Sequence, residues 1–321
     1  MTTQVAVVFA LFNPDSYRCK MLAFVAQRLR MQSKPVHICV SVLGGALDDE
    51  CLQLMDQVVE VSGSPEAFQK DALWNKAVHM LPASIQTIIF LDADIFPIKS
   101  DWVERVCGKL TQLDYIQGFS VLIHLNKPVT KKLLQSPTQE VVENDLVDMK
   151  TLKINDREQH TADVPVAFAS YMFGRVLDAN IGSAGGCKAM GRGLFEKMGG
   201  FPYEEIFGGM NDVLLKYRLS LSDNCSDYLF TPAFIERQNR FRFGPVRCGF
   251  VPGHLYHLYH KEGAGRQYGE RALIGKDLNY NPDADIFVNA TGGIEFTVAG
   301  KRLESHLRKI TEDNLRPDPA I

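Results

Sequence analysis

Residues 88–102 read IIFLDADIFPIKSDW: four apolar residues run straight into two aspartates, Asp92 and Asp94, one alanine apart. A continuous apolar run of this length is the pattern of a strand buried on both faces. Two readings stand for the acids that end it. Either they cap the turn ahead, or they hold a positive charge. Ser100 and Asp101 already offer an N-cap to the helix expected over 100–110, and Pro97 lies between. On an extended segment, side chains at i and i+2 point the same way, so both carboxylates can share one cation. A hard divalent ion, Mg²⁺ or Mn²⁺, takes oxygen ligands of this kind together with substrate phosphates.

Outward from that stretch, strand and helix patterns alternate. QVAVVFALF (4–12), PVHICVSVL (35–43), QVVEVS (57–62), TIIFLDAD (87–94) and DYIQGFSVLI (114–123) read as strands. Between them, SYRCKMLAFVAQRLRMQ, ALDDECLQLM, SPEAFQKDALWNKAVHML and SDWVERVCGKL read as helices, the third expected to start at Ser64-Pro65-Glu66. The β-α-β-α order predicts an α/β fold with a mostly parallel central sheet flanked by helices. Ligands of such sheets bind outside the carboxyl ends of the strands, where Asp92 and Asp94 sit. Residues 126–163 are polar and weakly periodic, and read as a surface insertion or loop. RGLFEKMGGFP and NDVLLKYRLSL are further helices, and residues 276–321 read as a C-terminal appendage to a main unit over 1–275.

The chain has 321 residues, 45% of them hydrophobic, and a net charge of −3, so bulk charge draws it to neither nucleic acid nor anionic membrane. Seven scattered cysteines without a CxxC pair predict reduced, buried thiols and a cytoplasmic protein. No segment reaches the length of a membrane span.

Four further stretches carry chemistry. HLYHLYH spaces His254, His257 and His260 three apart. On a helix they would line one face; on a strand, His254 and His260 would share a face with His257 opposite. Three histidines suit zinc; one of them completes a site with the aspartates; or the rings simply pack. GRQYGER (265–271) sets Arg266 and Arg271 about Tyr268, a pyrophosphate fork or a solvated helix face. In FGGMNDVLLKYRL (207–219), Asp212 either caps a helix or acts as a general base toward a hydroxyl. GSAGG (182–186), with Gly185 and Gly186, is a thin ligand wall or a tight turn, and it fits no dinucleotide fingerprint. RQNRFRFGPVR (237–247) and KPVTKK (127–132) are the only basic stretches; the first reads as a strand, either touching nucleic acid or solvated.

In this order the segments resemble the GT-A glycosyltransferases, over roughly residues 4–275. FLDADI looks like their D-x-D motif. GGCKAMGRGLFEKMGGFPYEEIFGGMNDVLLKYRL is similar to the acceptor-side segment of galactosyltransferase-like and polypeptide GalNAc-transferase-like enzymes, with Asn211-Asp212 at the acidic pair. HLYHKEGAGRQYGER looks like a segment of bacterial and phage members, with Lys261 where a glycine is usual.

The resemblance implies a metal-dependent transfer from a UDP-sugar, with Mn²⁺ or Mg²⁺ as cofactor. Asp92 and Asp94 would meet ribose and metal, and His257 would be the third ligand. His260, Arg266 and Tyr268 would face the diphosphate. Ala10, Phe12 and Asn13 would line the nucleotide pocket, and Lys70 and Asn75 would reach the nucleotide or donor sugar. Asp212 as base implies an inverting reaction. The acceptor stays open among a glycan, a protein and hydroxymethylated bases of phage DNA; a metal-dependent hydrolase is the alternative of another class.

Overall fold

The computed structural model of the chain describes residues 4–137, 141, 186–208, 211–220, 230–244, 246–260 and 268–314. The first half alternates as expected: β1 (Val5–Phe12), α1 (Ser16–Arg30), β2 (His37–Leu43), α2 (Asp49–Leu54), β3 (Gln57–Val61), α3 (Lys70–Met80) and β4 (Thr87–Leu91). After the acidic turn come β5 (Ile95–Phe96), α4 (Trp102–Leu110), β6 (Tyr115–Gln117), β7 (Val121–His124) and α5 (Lys127–Gln135). The second half carries β8 (Cys187–Gly191), α6 (Arg192–Lys197), α7 (Asn211–Arg218), α8 (Pro232–Arg240), β9 (Cys248–Phe250) and β10 (His254–His257). Last are α9 (Tyr268–Asp277), α10 (Pro282–Asp285), β11 (Ile286–Val288), β12 (Ile294–Phe296) and α11 (Lys301–Asn314).

Seven strands form the central sheet in the order β3-β2-β1-β4-β8-β6-β9. The first four are parallel, β8 runs antiparallel to β4 and β6, and β9 is parallel to β6. A fold of the mostly parallel α/β class is therefore what the chain adopts. Alternation along β1 divides the core. Val5, Val7, Phe9 and Leu11 face α1 and α4, whereas Ala6 and Val8 face α3, α6 and α7. A second sheet, β5-β10-β7, sits beside the carboxyl end of β4, with β10 antiparallel to β5 and parallel to β7. No helix among the described residues is long and apolar enough to cross a membrane. Six of the seven cysteines are described, and all six are unpaired; burial pushes the Cys39 and Cys51 thiols up to about 12. Cys225 lies outside the described residues.

Several local expectations are corrected. The third helix starts at Lys70, not Ser64, because tertiary bonds claim the segment before it. Ser64 N donates to Ile294 O (2.8 Å), and Phe68 N to Ile206 O (2.7 Å). The Gln69 amide donates to Ser64 O (2.6 Å) while its carbonyl accepts from Ile294 N (2.6 Å). Asp101 makes no side-chain cap on α4; Gln32 Oε1 accepts from Val103 N instead, at 3.2 Å. The single strand expected over 114–123 is two strands in two sheets. The chain breaks at Gly118, where a Cβ would lie 2.3 Å from Cys187 Sγ, so only glycine permits the approach.

Residues 127–135, expected in a loop, form α5. Asn126 caps it by accepting from Val129 N (2.9 Å), Pro128 lies in its first turn, and Val129, Leu133 and Leu134 pack on the core. The rest of the expected insertion lies outside the described residues, Val141 apart. The arginine-rich 237–247 is not a strand but the end of α8 and the turn after it. Thr231 accepting from Phe234 N, followed by Pro232, is a helix start that outweighs the arginine-phenylalanine pattern.

Segment 276–314 shares one core with the main chain: Ile286, Ile294, Phe296, Leu303 and Leu307 cluster with Ala67, Ile206, Phe207, Leu214 and Phe234. Beside that core, Glu204 is 1% exposed and accepts from Arg218 (2.7 Å) and Arg237 (2.9 Å), while Gln238 accepts from Arg218 Nε at 2.7 Å. Removing one partner of such a pair leaves a buried charge uncompensated. Glu204→Gln is therefore expected to cost about 3–5 kcal/mol in urea unfolding. Glu236→Gln, which removes the exposed Arg240 partner (3.1 Å), is expected to stay within about 0.5 kcal/mol.

Candidate functional site

The site is built on the end of β4. Asp92 N donates to Gly186 O (2.9 Å) at the start of β8, and Ile95 N donates to Asp92 O (3.1 Å), closing a turn. That turn overturns the extended geometry expected for the acidic pair, and the two carboxylates go different ways. Asp92 pairs with Lys70, the first residue of α3, whose Nζ also lies 4.6 Å from the Trp74 ring centre. Asp94 meets two histidines. His260 Nε2 lies 3.1 Å and His257 Nε2 3.7 Å from Asp94 Oδ2, with the two rings 4.9 Å apart.

One ligand atom from each of Asp94, His257 and His260 falls within 4.8 Å of the others, and all three side chains are half-buried. One carboxylate and two imidazoles are a mixed oxygen and nitrogen donor set that fits Mn²⁺ or another first-row divalent ion better than Mg²⁺. The alternation expected for the histidines does not hold. β10 stops at His257, where Leu258 N turns to Asp94 O (2.8 Å), so His260 comes back to the His257 side. His254 is exposed and outside the cluster, which removes the three-histidine zinc reading.

The remaining described candidates lie outside this cluster. Ala10 is half-buried; Phe12 stacks on Phe68 with ring centres 5.7 Å apart; Asn13 ends β1 in the left-handed region (φ 43°), its N–H on Leu43 O (2.7 Å). Asn75 spends its amide on the backbone of Phe201, donating to Phe201 O (3.0 Å) and accepting from Phe201 N (2.8 Å). Asp212 is the second residue of α7 and Tyr268 the first of α9. Arg271, also on α9, donates to Glu66 O (2.9 Å). Gly185 and Arg266 lie outside the described residues.

Two residues were missed by sequence reasoning. His124 packs against His257 with ring centres 4.5 Å apart and planes tilted by 32°, because β7 and β10 pair in parallel with His124 opposite His257. No sequence spacing announces a partner set by pairing across that distance. Lys188 on β8 is 3% exposed, its Nζ 5.2 Å from the rings of both Trp74 and Phe201. Next to it, burial and then the charge of Asp92 push the Cys187 thiol far up, so it is no nucleophile.

No protein-family model matches the sequence, and no curated protein does. Among solved structures, the chain is similar to the mannosyltransferase PcManGT from Pyrobaculum calidifontis in complex with GDP-Man and Mn²⁺. That match has 12% identity and a TM-score of 0.44, over 98% of this chain and 70% of that one. It is also similar to residues 1–349 of TarS from S. aureus in complex with UDP-GlcNAc, at 10% identity and TM-score 0.46, over 81% of this chain and 59% of that one. A third similar structure is 4-diphosphocytidyl-2C-methyl-D-erythritol synthase from Anaerococcus prevotii, at 10% identity and TM-score 0.37, over 84% of this chain and 96% of that one.

Gly186 holds the acidic turn in a left-handed conformation (φ 93°), and a Cβ there would lie 2.9 Å from Ile95 Cδ1. Gly186→Ala is expected to destabilise the protein by about 1–3 kcal/mol in chemical denaturation. Gly193→Ala on α6, with nothing within 4 Å of the added methyl, is expected to gain about 0.4–1 kcal/mol.

Proposed function

We propose that the protein is a metal-dependent glycosyltransferase that moves a sugar from a UDP-sugar to an acceptor hydroxyl with inversion. The observation that carries this reading is the gathering of Asp94, His257 and His260 at the carboxyl end of β4, the edge where α/β sheets bind ligands. The resemblance of the D-x-D, Gly-Gly, Gly-Phe and histidine segments gives the cluster its substrate class.

On this reading Asp94, His257 and His260 hold the ion, and Asp92, oriented by Lys70, faces the ribose. The bound ion supplies Lewis-acid neutralisation of the leaving nucleoside diphosphate. Arg266 and Tyr268 carry the remaining phosphate charge, and Phe12 and Asn13 wall the nucleotide at the end of β1. Asp212, in the first turn of α7, takes the acceptor proton as the hydroxyl attacks. Among acceptors, modified DNA calls for a basic groove. Arg237, Arg240 and Arg247 of the candidate segment are instead in ion pairs with Glu204, Asp283, Glu236 and Asp114, so a glycan or protein hydroxyl is the better-supported acceptor.

A ligand that binds only the folded state at about 100 times its Kd stabilises by about 2.7 kcal/mol. UDP with Mn²⁺ is expected to raise the melting temperature accordingly, and Asp94→Asn to abolish the rise. Asp212→Asn is expected to keep UDP binding while kcat falls about 10²- to 10⁴-fold. Zinc-restored phosphoester hydrolysis in a protein indifferent to UDP would sink the reading in favour of a hydrolase.

A further inference from the structure

We propose that Thr130 and Tyr17 are positioning residues for the metal cluster, acting through the backbone of Tyr259 to bring His260 onto Asp94. The inference rests on reading Asp94, His257 and His260 as metal ligands.

The argument begins with where β10 stops. His257 is its last residue, so the three residues that follow have no strand ladder to fix them. Yet His260 returns to within 3.1 Å of Asp94. Successive backbone groups along the exit are each bonded from a different element. His257 O accepts from Leu125 N at the end of β7 (2.8 Å), and Leu258 N donates to Asp94 O in the acidic turn (2.8 Å). Tyr259 N then donates to Thr130 Oγ1 on α5 (2.8 Å), and Tyr259 O accepts from Tyr17 Oη on α1.

Both groups of the Tyr259 residue, N–H and C=O, are thus taken by side chains, one from each of two helices. Thr130 is 1% exposed, so its oxygen is held where a solvent-facing hydroxyl would rotate away. Leu258 is fully buried below the exit, which fixes the side toward which the chain turns. An imidazole ligand needs its ring aimed before the ion arrives, and residues that aim ligands typically account for 10- to 100-fold in metal affinity. For His260 the clamp acts on the peptide next to it.

The test is Mn²⁺ titration of the full chain without nucleotide, read by the electron paramagnetic resonance of free Mn²⁺. Thr130→Val keeps the shape of the side chain and removes the acceptor; Tyr17→Phe removes only the donor. Each is expected to weaken Mn²⁺ binding about 10- to 100-fold. Thr130→Ser, which restores the oxygen, is expected to bind as the parent does. Should Thr130→Val fail to fold, Tyr17→Phe carries the test, since its hydroxyl sits on a half-buried ring at the start of α1. Parental affinity in Tyr17→Phe, or equal losses in Thr130→Ser and Thr130→Val, would overturn the clamp and leave the metal site standing. A parent chain that binds no Mn²⁺ would overturn the site and the clamp together.

Discussion

The bond from Leu258 N to Asp94 O, 2.8 Å long, is the one the site depends on. It ties the exit of β10 to the acidic turn after β4, next to the antiparallel pairing with β5 that sets His257 opposite Ile95. Asp94 comes from the first third of the chain and the two histidines from the last quarter. The turn that carries Asp94 leaves β4 in the large sheet and enters β5 in the small one, which β10 shares.

How the acidic turn is made ready for that bond follows from ordinary sheet packing. β4 is flanked by β1 and β8, and Ile88, Ile89, Phe90 and Leu91 are all fully buried. A strand this enclosed has nowhere to put a carboxylate until its last residue has left the ladder, so the acids emerge at the edge and nowhere earlier. Asp92 N bonding to Gly186 O then closes the turn against the entry of β8. The buried pair Glu204 and Glu205 does comparable work for the segment that precedes α7. Glu204 anchors Arg218 at the far end of α7, and Glu205 accepts from Phe207 N (3.0 Å) and Gly208 N (3.1 Å) in the loop that leads toward Asp212. Two glutamates in a row look like a solvated surface in the sequence. Here they are framework, because each finds charge or backbone N–H groups to satisfy it.

What could be read from the sequence divides along the same physical line. β1 to β4 and their helices were legible because parallel strands covered on both faces must be continuously apolar, and helix periodicity survives between them. The aspartates were legible because they interrupt such a run. The strand β8 was not, since CKAMG carries a lysine whose ammonium lies buried against the rings of Trp74 and Phe201 rather than in water. Nor was the two-residue β5, nor the break that sets β7 apart from β6; both short strands exist by pairing with β10. The helix α5 was hidden by its lysines, although Asn126-Lys127-Pro128 is a cap signal of the kind recognised elsewhere in the chain. His124, Thr130 and Tyr17 belong to the same class. Their places near His257 and Tyr259 come from tertiary pairing alone, which no local pattern encodes.

A division of labour follows from this geometry. The carboxylate follows a strand buried from Ile88 to Leu91, while the histidines sit where a strand ends and side-chain bonds take over from the ladder. Rigidity is therefore unequal across the ligand set. On the proposed reading, an ion held by Asp94, His257 and His260 would add to a link that the protein alone makes with the β5–β10 pairing, the Leu258–Asp94 bond and the grip on Tyr259. Binding energy would then be expressed as ordering of the β10 exit rather than of the central sheet, whose stability comes from its two apolar cores. Such an arrangement lets a metal and its substrate organise one edge of the molecule without disturbing the framework that delivers the carboxylate.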